Sequence, residues 1–101
     1  MKKGTTPTHT FELPEAVVNT IRDVEITYSQ NRRVILQKDM YDCTIEGNII
    51  SVTLTQADTF KFMDDVNVEI QVRVLDDAEN VFASNIMCVS CERCLSDEVL
   101  L

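Results

Sequence analysis

The segment Cys88-Val89-Ser90-Cys91-Glu92-Arg93-Cys94 sets three of the chain's four cysteines at Cys-x2-Cys-x2-Cys spacing, with Cys43 well upstream. Thiolates at such spacing ligate zinc and iron–sulfur clusters. Zinc–sulfur bonds are about 2.3 Å long, so all three sulfurs would have to converge on one point. Chains that do this wrap around the metal with turns, usually helped by glycine, and residues 88–95 contain neither Gly nor Pro. Read as a strand, the segment puts Cys88 and Cys94 on one face, about 20 Å apart at ~3.3 Å per residue, and Cys91 on the other. A ferredoxin-type run would also continue Cys-x3-Cys-Pro, whereas Cys94 is followed by Leu95-Ser96-Asp97-Glu98. Separate, buried or half-buried cysteines that hold no metal are the expectation. A redox pair would need a helix N-terminus to depress a thiol pKa, and none is expected there.

Other residues with chemical potential are few. His9 is the sole histidine, and a base–nucleophile pair with a cysteine is formally possible. Nothing in the order of elements brings the two together, and His9 reads as a surface or edge-strand residue. Asp64-Asp65 and Asp76-Asp77-Ala78-Glu79 offer oxygen ligands but lack the spacing of a calcium loop, so they read as solvated turns. Gly4 and Gly47 are the only glycines, which leaves no phosphate-cradling loop. The inventory assigns no catalytic, cofactor-binding or metal-ligating residue, and predicts a non-enzyme without a cofactor.

The elements that carry these residues alternate with period two. Thr8-His9-Thr10-Phe11-Glu12-Leu13 forms a short strand ended by Pro14. Val24, Ile26 and Tyr28 alternate with polar residues up to a turn at Gln30-Asn31, and Arg33–Lys38 returns as a hairpin partner. Cys43–Glu46 and Ile49–Leu54 flank Gly47-Asn48, a dipeptide suited to a tight turn. Thr55 and Asp58 have the spacing of a capping box, which predicts one helical turn near residues 55–60. Val66, Val68, Ile70, Val72 and Val74 alternate with polar residues in the clearest strand, central and buried on one face. After a hairpin loop at 76–80, a last long strand is expected from Val81 to Cys94, then a tail at 95–101. About seven strands with short loops predict an all-β antiparallel sandwich, immunoglobulin-like or a related Greek key.

At 101 residues, with 45% apolar and 26% charged side chains, the chain is one domain with a single core. Residues 1–6 read as a flexible N-terminus. No apolar run approaches the roughly 20 residues that span a membrane, and Met1–Phe11 lacks the apolar stretch of a signal peptide. Synthesis in the cytoplasm follows, where a disulfide framework is a poor default for the four cysteines. The net charge of −8, with no basic cluster longer than Arg32-Arg33, disfavours nucleic acid as a partner.

Binding through a surface remains. Ile86-Met87-Cys88-Val89 is apolar on both faces of its expected strand, so one face must meet the core and the other a cover. Ile86, Met87, Val89, Val99 and Leu100 are therefore the candidate interface, with a homo-oligomer as the simplest outcome. The tail folding back over one end of the sandwich is the competing arrangement for Val99 and Leu100.

The chain as a whole resembles small proteins of phages and prophages of Gram-positive bacteria that are similar to the N-terminal domain of baseplate upper proteins. The residues that carry the likeness are Thr10–Pro14, Ile26–Asn31, Val52–Thr59, Val68–Leu75, Ala83–Ile86 and Leu95–Leu100. The cysteine run is not part of it. The resemblance implies a non-enzymatic virion component or assembly protein on a β-sandwich, incorporated in the virion after synthesis and bound to other virion proteins. The competing reading is a small cytoplasmic metal- or redox-responsive protein using Cys88, Cys91, Cys94 and Cys43.

Overall fold

A computed structural model describes residues 1–14 and 21–101. In chain order these form β1 (Thr8–Glu12), β2 (Ile21–Gln30), β3 (Arg33–Asp39), a 3-10 turn (Met40–Asp42), β4 (Cys43–Glu46), β5 (Ile49–Thr53), α1 (Gln56–Phe60), β6 (Val68–Asp76), β7 (Val81–Ala83) and β8 (Met87–Val89). One sheet has the order β1-β5-β4; the other runs β3-β2-β6, with β7 and β8 end to end along the far flank of β6. All strand pairs are antiparallel. With β1 taken as strand B, the sheets read B-E-D and C′-C-F-G, the order of an immunoglobulin-type sandwich. The expected all-β sandwich is what forms.

The period-two pattern is what makes the core. Val68, Ile70, Val72 and Val74 of β6 are buried, as are Val24, Ile26 and Tyr28 of β2, while the intervening residues face outward. Phe11, Ile50, Val52 and Leu54 meet them from the opposite sheet, and Phe62 closes one end. Burial of such side chains stabilises by about 1.5–3 kcal/mol each, which pins the register because a slip by one residue would turn the apolar set outward.

The turns follow local chemistry. Gly47 holds φ +56 in the two-residue loop between Glu46 and Ile49, as a primed hairpin turn requires. Thr55 caps α1 as its spacing with Asp58 predicts: the Thr55 hydroxyl accepts from the Asp58 amide at 3.0 Å, and the Asp58 carboxylate accepts from the Thr55 amide at 3.0 Å.

Several expectations need correction. The first hairpin turns at Asn31-Arg32, both at positive φ, because Gln30 pairs with Arg33 and belongs to β2. Gln30 is fully buried; its amide donates to the carbonyls of Met63 and Val66 and accepts from the Met63 amide. It is a core clamp on the loop before β6, where the sequence read a turn residue. That loop also shortens the central strand, which starts at Val68 and not at Val66.

The long last strand does not exist as one piece. Arg73 pairs with Ala83, yet Ile70 pairs with Met87, so one extra residue bulges between them. Ser84 causes the break by engaging β6 through its side chain: the Val72 amide donates to the Ser84 hydroxyl at 3.0 Å, and the Ser84 amide donates to the Val72 carbonyl at 2.8 Å. Beyond β8 the chain leaves the sheet.

The first residues, expected as a loose lead-in, are hydrogen-bonded. The terminal ammonium donates to the Ser90 carbonyl, Lys3 and Met1 exchange bonds with Glu92, and Lys2 bridges Glu92 in parallel. Gly4 donates to the Thr59 hydroxyl, which in turn donates to the Thr5 carbonyl.

Candidate functional site

Across the three-stranded sheet, His9 of β1 and Cys43 of β4 both lie opposite Val52 of β5. Directly opposed residues share a face, and Val52 is buried, so both side chains point between the sheets. From the facing sheet Tyr28, with no exposed surface, brings its phenol to His9 Nδ1 at 2.7 Å. Lys38 and Asp58 lie nearby, paired at 2.9 Å with only 16% and 9% of their side chains exposed.

The electrostatics suit a closed structural network. Burial, then the charge of the chain's N-terminus, holds the His9 pKa below its ordinary value. Burial pushes the Tyr28 phenol well above its usual range, reinforced by Cys43 and Asp58. Burial also raises the Cys43 thiol, helped by Asp42 and Asp39 against the opposing pull of Lys38. Burial alone would raise the Asp58 carboxyl, but the Thr55 amide, Lys38 and the Thr55 hydroxyl together bring it below the usual value. The result is a neutral imidazole on an un-ionised phenol beside a shielded ion pair. Among the described residues every buried side-chain nitrogen and oxygen has a partner. These groups tie β1, β2, β3, β4 and α1 together. Sequence alone put Tyr28 in an alternating apolar set, read His9 as a surface or edge-strand residue and Asp58 as a capping residue, and did not bring any of them together.

The cysteines of the 88–94 run are dispersed. Cys88 is exposed on the outward face of β8, opposite Glu69. Cys91 is buried outside any strand, its thiol raised mainly by burial, with Lys3 and the N-terminus pulling the other way. Cys94 is exposed, its sulfur 3.3 Å from where a Cβ on Gly4 would sit. Among the described residues no group of three or more His, Cys, Asp or Glu is arranged to hold a metal ion.

The expected interface residues divide. Met87 and Val89 lie opposite Ile70 and Val68 and pack against the core, so they belong to the interior and not to an apolar outer face. Ile86 is 58% exposed and borders a hollow on the outer face with Thr27, Ser29, Arg32 and Gln71. Val81, opposite Leu75 toward the other end of the flank, is 59% exposed, and Phe82 remains 42% exposed although it lies opposite buried Val74. Phe82 forms one wall of a groove of about 350 Å3 between the sheets, with Leu13, Pro14 and Val72. Sequence reasoning missed Val81 and Phe82 because a continuous strand would have carried its contacts further along.

The tail lies along α1. Leu100 donates its amide to Gln56 Oε1 at 2.8 Å and accepts from Gln56 Nε2 at 2.7 Å. The side chains of Val99 and Leu100 stay exposed, so the tail is tied down by backbone rather than by apolar packing.

The sandwich thus carries exposed apolar side chains along the β7–β8 flank, while its inward polar groups are engaged with one another. No helix among the described residues is long and apolar enough to cross a membrane. No family model, no curated protein and no solved structure matches the chain.

Proposed function

We propose that this chain is a non-enzymatic structural or assembly module of a phage or prophage virion, acting through protein–protein contacts along the β7–β8 flank. The observation that carries the contact reading is the exposure of Val81 and Ile86 on the outer face of this flank and of Phe82 on its inner side. Large apolar side chains held by strand backbone lose little freedom on binding, and covering them yields about 25 cal/mol per Å2. The virion setting rests on the sequence resemblance to the N-terminal domain of baseplate upper proteins. An immunoglobulin-type sandwich, which presents strand edges and loops without needing a cofactor, supports that reading. The chain would be made in the cytoplasm and carried in the particle if incorporated.

Mass spectrometry of purified particles and of their assembly intermediates, prepared from the host of this gene, tests the setting. The chain is expected at a fixed ratio to other tail or head proteins. Its absence from both particles and intermediates would overturn the reading.

A further inference from the structure

We infer that the β7–β8 flank pairs edge to edge with the same flank of a second copy, joining two five-stranded sheets into one about a two-fold axis. This deepens the protein-contact reading above by naming a partner.

The argument begins with charge. Residues 80–91 form a run without a single Asp, Glu, Lys or Arg, in a chain where 26% of residues are charged. The comparable run, residues 47–57, supplies β5, which is paired on both sides by β1 and β4. β7 and β8 share that central-strand character yet pair, among the described residues, only with β6.

The opposite border of the same sheet is guarded in the usual ways. β3 carries Arg33 and Asp39, a register shift opposite Tyr28 and Ser29, and the inward lysine Lys38. The β7–β8 flank has a bulge and no charge.

Two copies of net charge −8 repel, and the repulsion is screened only over about 8 Å at physiological salt. Contact is favoured where no like charges face one another, and this flank is such a place. On the outer face of β6, Arg73 opposite Ala83 is neutralised by Glu25 at 2.8 Å, and Glu69 opposite Cys88 is the one acid directly beside the flank. The strand also accepts an added segment at its continuation, where Lys2 bridges Glu92.

Side-chain direction selects the register. Val81, Ala83, Ile86 and Cys88 face outward, whereas Phe82 and Met87 face the core. In a continuous antiparallel sheet, opposed residues share a face. Setting Phe82 against Met87 of the second copy satisfies this, and brings Val81 opposite Cys88 and Ala83 opposite Ile86. The axis then passes between Ser84 and Asn85, and the two bulges meet there. Because the bulge divides the contact into two short pieces, association is concentration-dependent.

Sedimentation equilibrium of the full chain at micromolar concentration, under reducing conditions, is expected to show a monomer–dimer equilibrium. Ile86→Lys changes an exposed position and lowers the net negative charge, so it does not raise the overall repulsion between copies. It is expected to abolish the dimer with an unchanged far-ultraviolet circular dichroism spectrum. Val81→Cys in a Cys94→Ser background, oxidised gently, is expected to give a dimer whose disulfide maps to residues 81 and 88. A parent chain that stays monomeric, an Ile86→Lys variant that still dimerises, or a disulfide between other positions would overturn the inference. A monomer found in virions would remove this partner and leave the virion reading standing; a dimer absent from virions and intermediates would do the reverse.

Discussion

His9 of β1 and Tyr28 of β2 meet across the two sheets, Nδ1 to Oη at 2.7 Å, with ring centroids 5.5 Å apart. Tyr28 continues the contact to Phe62, at 5.9 Å between centroids. One hydrogen bond and two ring contacts thus fasten an edge strand to the centre of the opposite sheet.

The first prediction is acid sensitivity. The His9 pKa is lowered in the folded chain, while the unfolded chain titrates near 6.5. The unfolded state therefore binds more protons between those values, and stability rises with pH across that window. The contribution is fully present above 6.5 and is lost as pH falls from there through the lower folded value. His9→Gln removes the titration and keeps a hydrogen-bonding group for Tyr28. Urea unfolding across this range is expected to show a flatter pH dependence for the variant than for the parent.

A second prediction concerns the Tyr28 phenol itself. Tyr28→Phe keeps the ring contacts but leaves the His9 nitrogen without its partner in a half-buried site. The expected loss is about 1–2 kcal/mol, read as a lower urea midpoint with an unchanged slope.

Lys38 and Asp58 give the third. Lys38→Met retains most of the aliphatic packing but strands the Asp58 carboxylate, which is 9% exposed. Removing one partner of a shielded pair is expected to cost about 2–4 kcal/mol. It also removes a group that lowers the Asp58 pKa, so the folded value moves back toward the unfolded one and the variant should show a shallower loss of stability with acid than the parent. An acid titration followed by circular dichroism reads both effects.

The fourth sets the two faces of β6 against each other. Ile70→Ala empties a site with no exposed surface and is expected to cost about 2–5 kcal/mol. Glu69→Ala, on the outward face opposite Cys88, is expected to stay within about 0.5 kcal/mol of the parent. Thermal or urea denaturation of the pair gives the comparison.

Two turns supply the last. Arg32 and Glu79 hold φ of 62 and 66 in hairpin loops. Left-handed backbone costs a residue with a Cβ about 1–2 kcal/mol, partly offset by the extra freedom glycine gives the unfolded chain. Arg32→Gly and Glu79→Gly are each expected to raise stability by up to about 1 kcal/mol, measured as an increase in urea midpoint.

Much of this architecture is legible in the chain because it depends on local rules. Alternation identifies the buried face of β6, the Thr55–Asp58 spacing marks α1, and Gly47 marks its hairpin. The break in the last strand is not legible, because it depends on a Ser84 hydroxyl accepting from a β6 amide, an arrangement that leaves no trace in the apolar pattern. Gln30 misleads for a related reason: its amide looks like a turn residue until the loop that it clamps is folded over it. Of the expected interface, Ile86 keeps its exposure, whereas Met87 and Val89 turn inward once the bulge fixes which face each occupies. The meeting of His9, Tyr28 and Cys43 depends on how two sheets are superposed, and strand periodicity does not encode that.

The parallel bonding of Met1–Lys3 with Ser90–Glu92 has a mechanical consequence. A tensile load entering at Met1 and leaving at Leu101 pulls these two segments past each other along their own axes. The bonds Met1 to Ser90, Glu92 to Met1 and Lys3 to Glu92 then bear the force together, in shear, and do not open one at a time like a zipper. The sheets behind this clamp stay shielded from the pull until it yields.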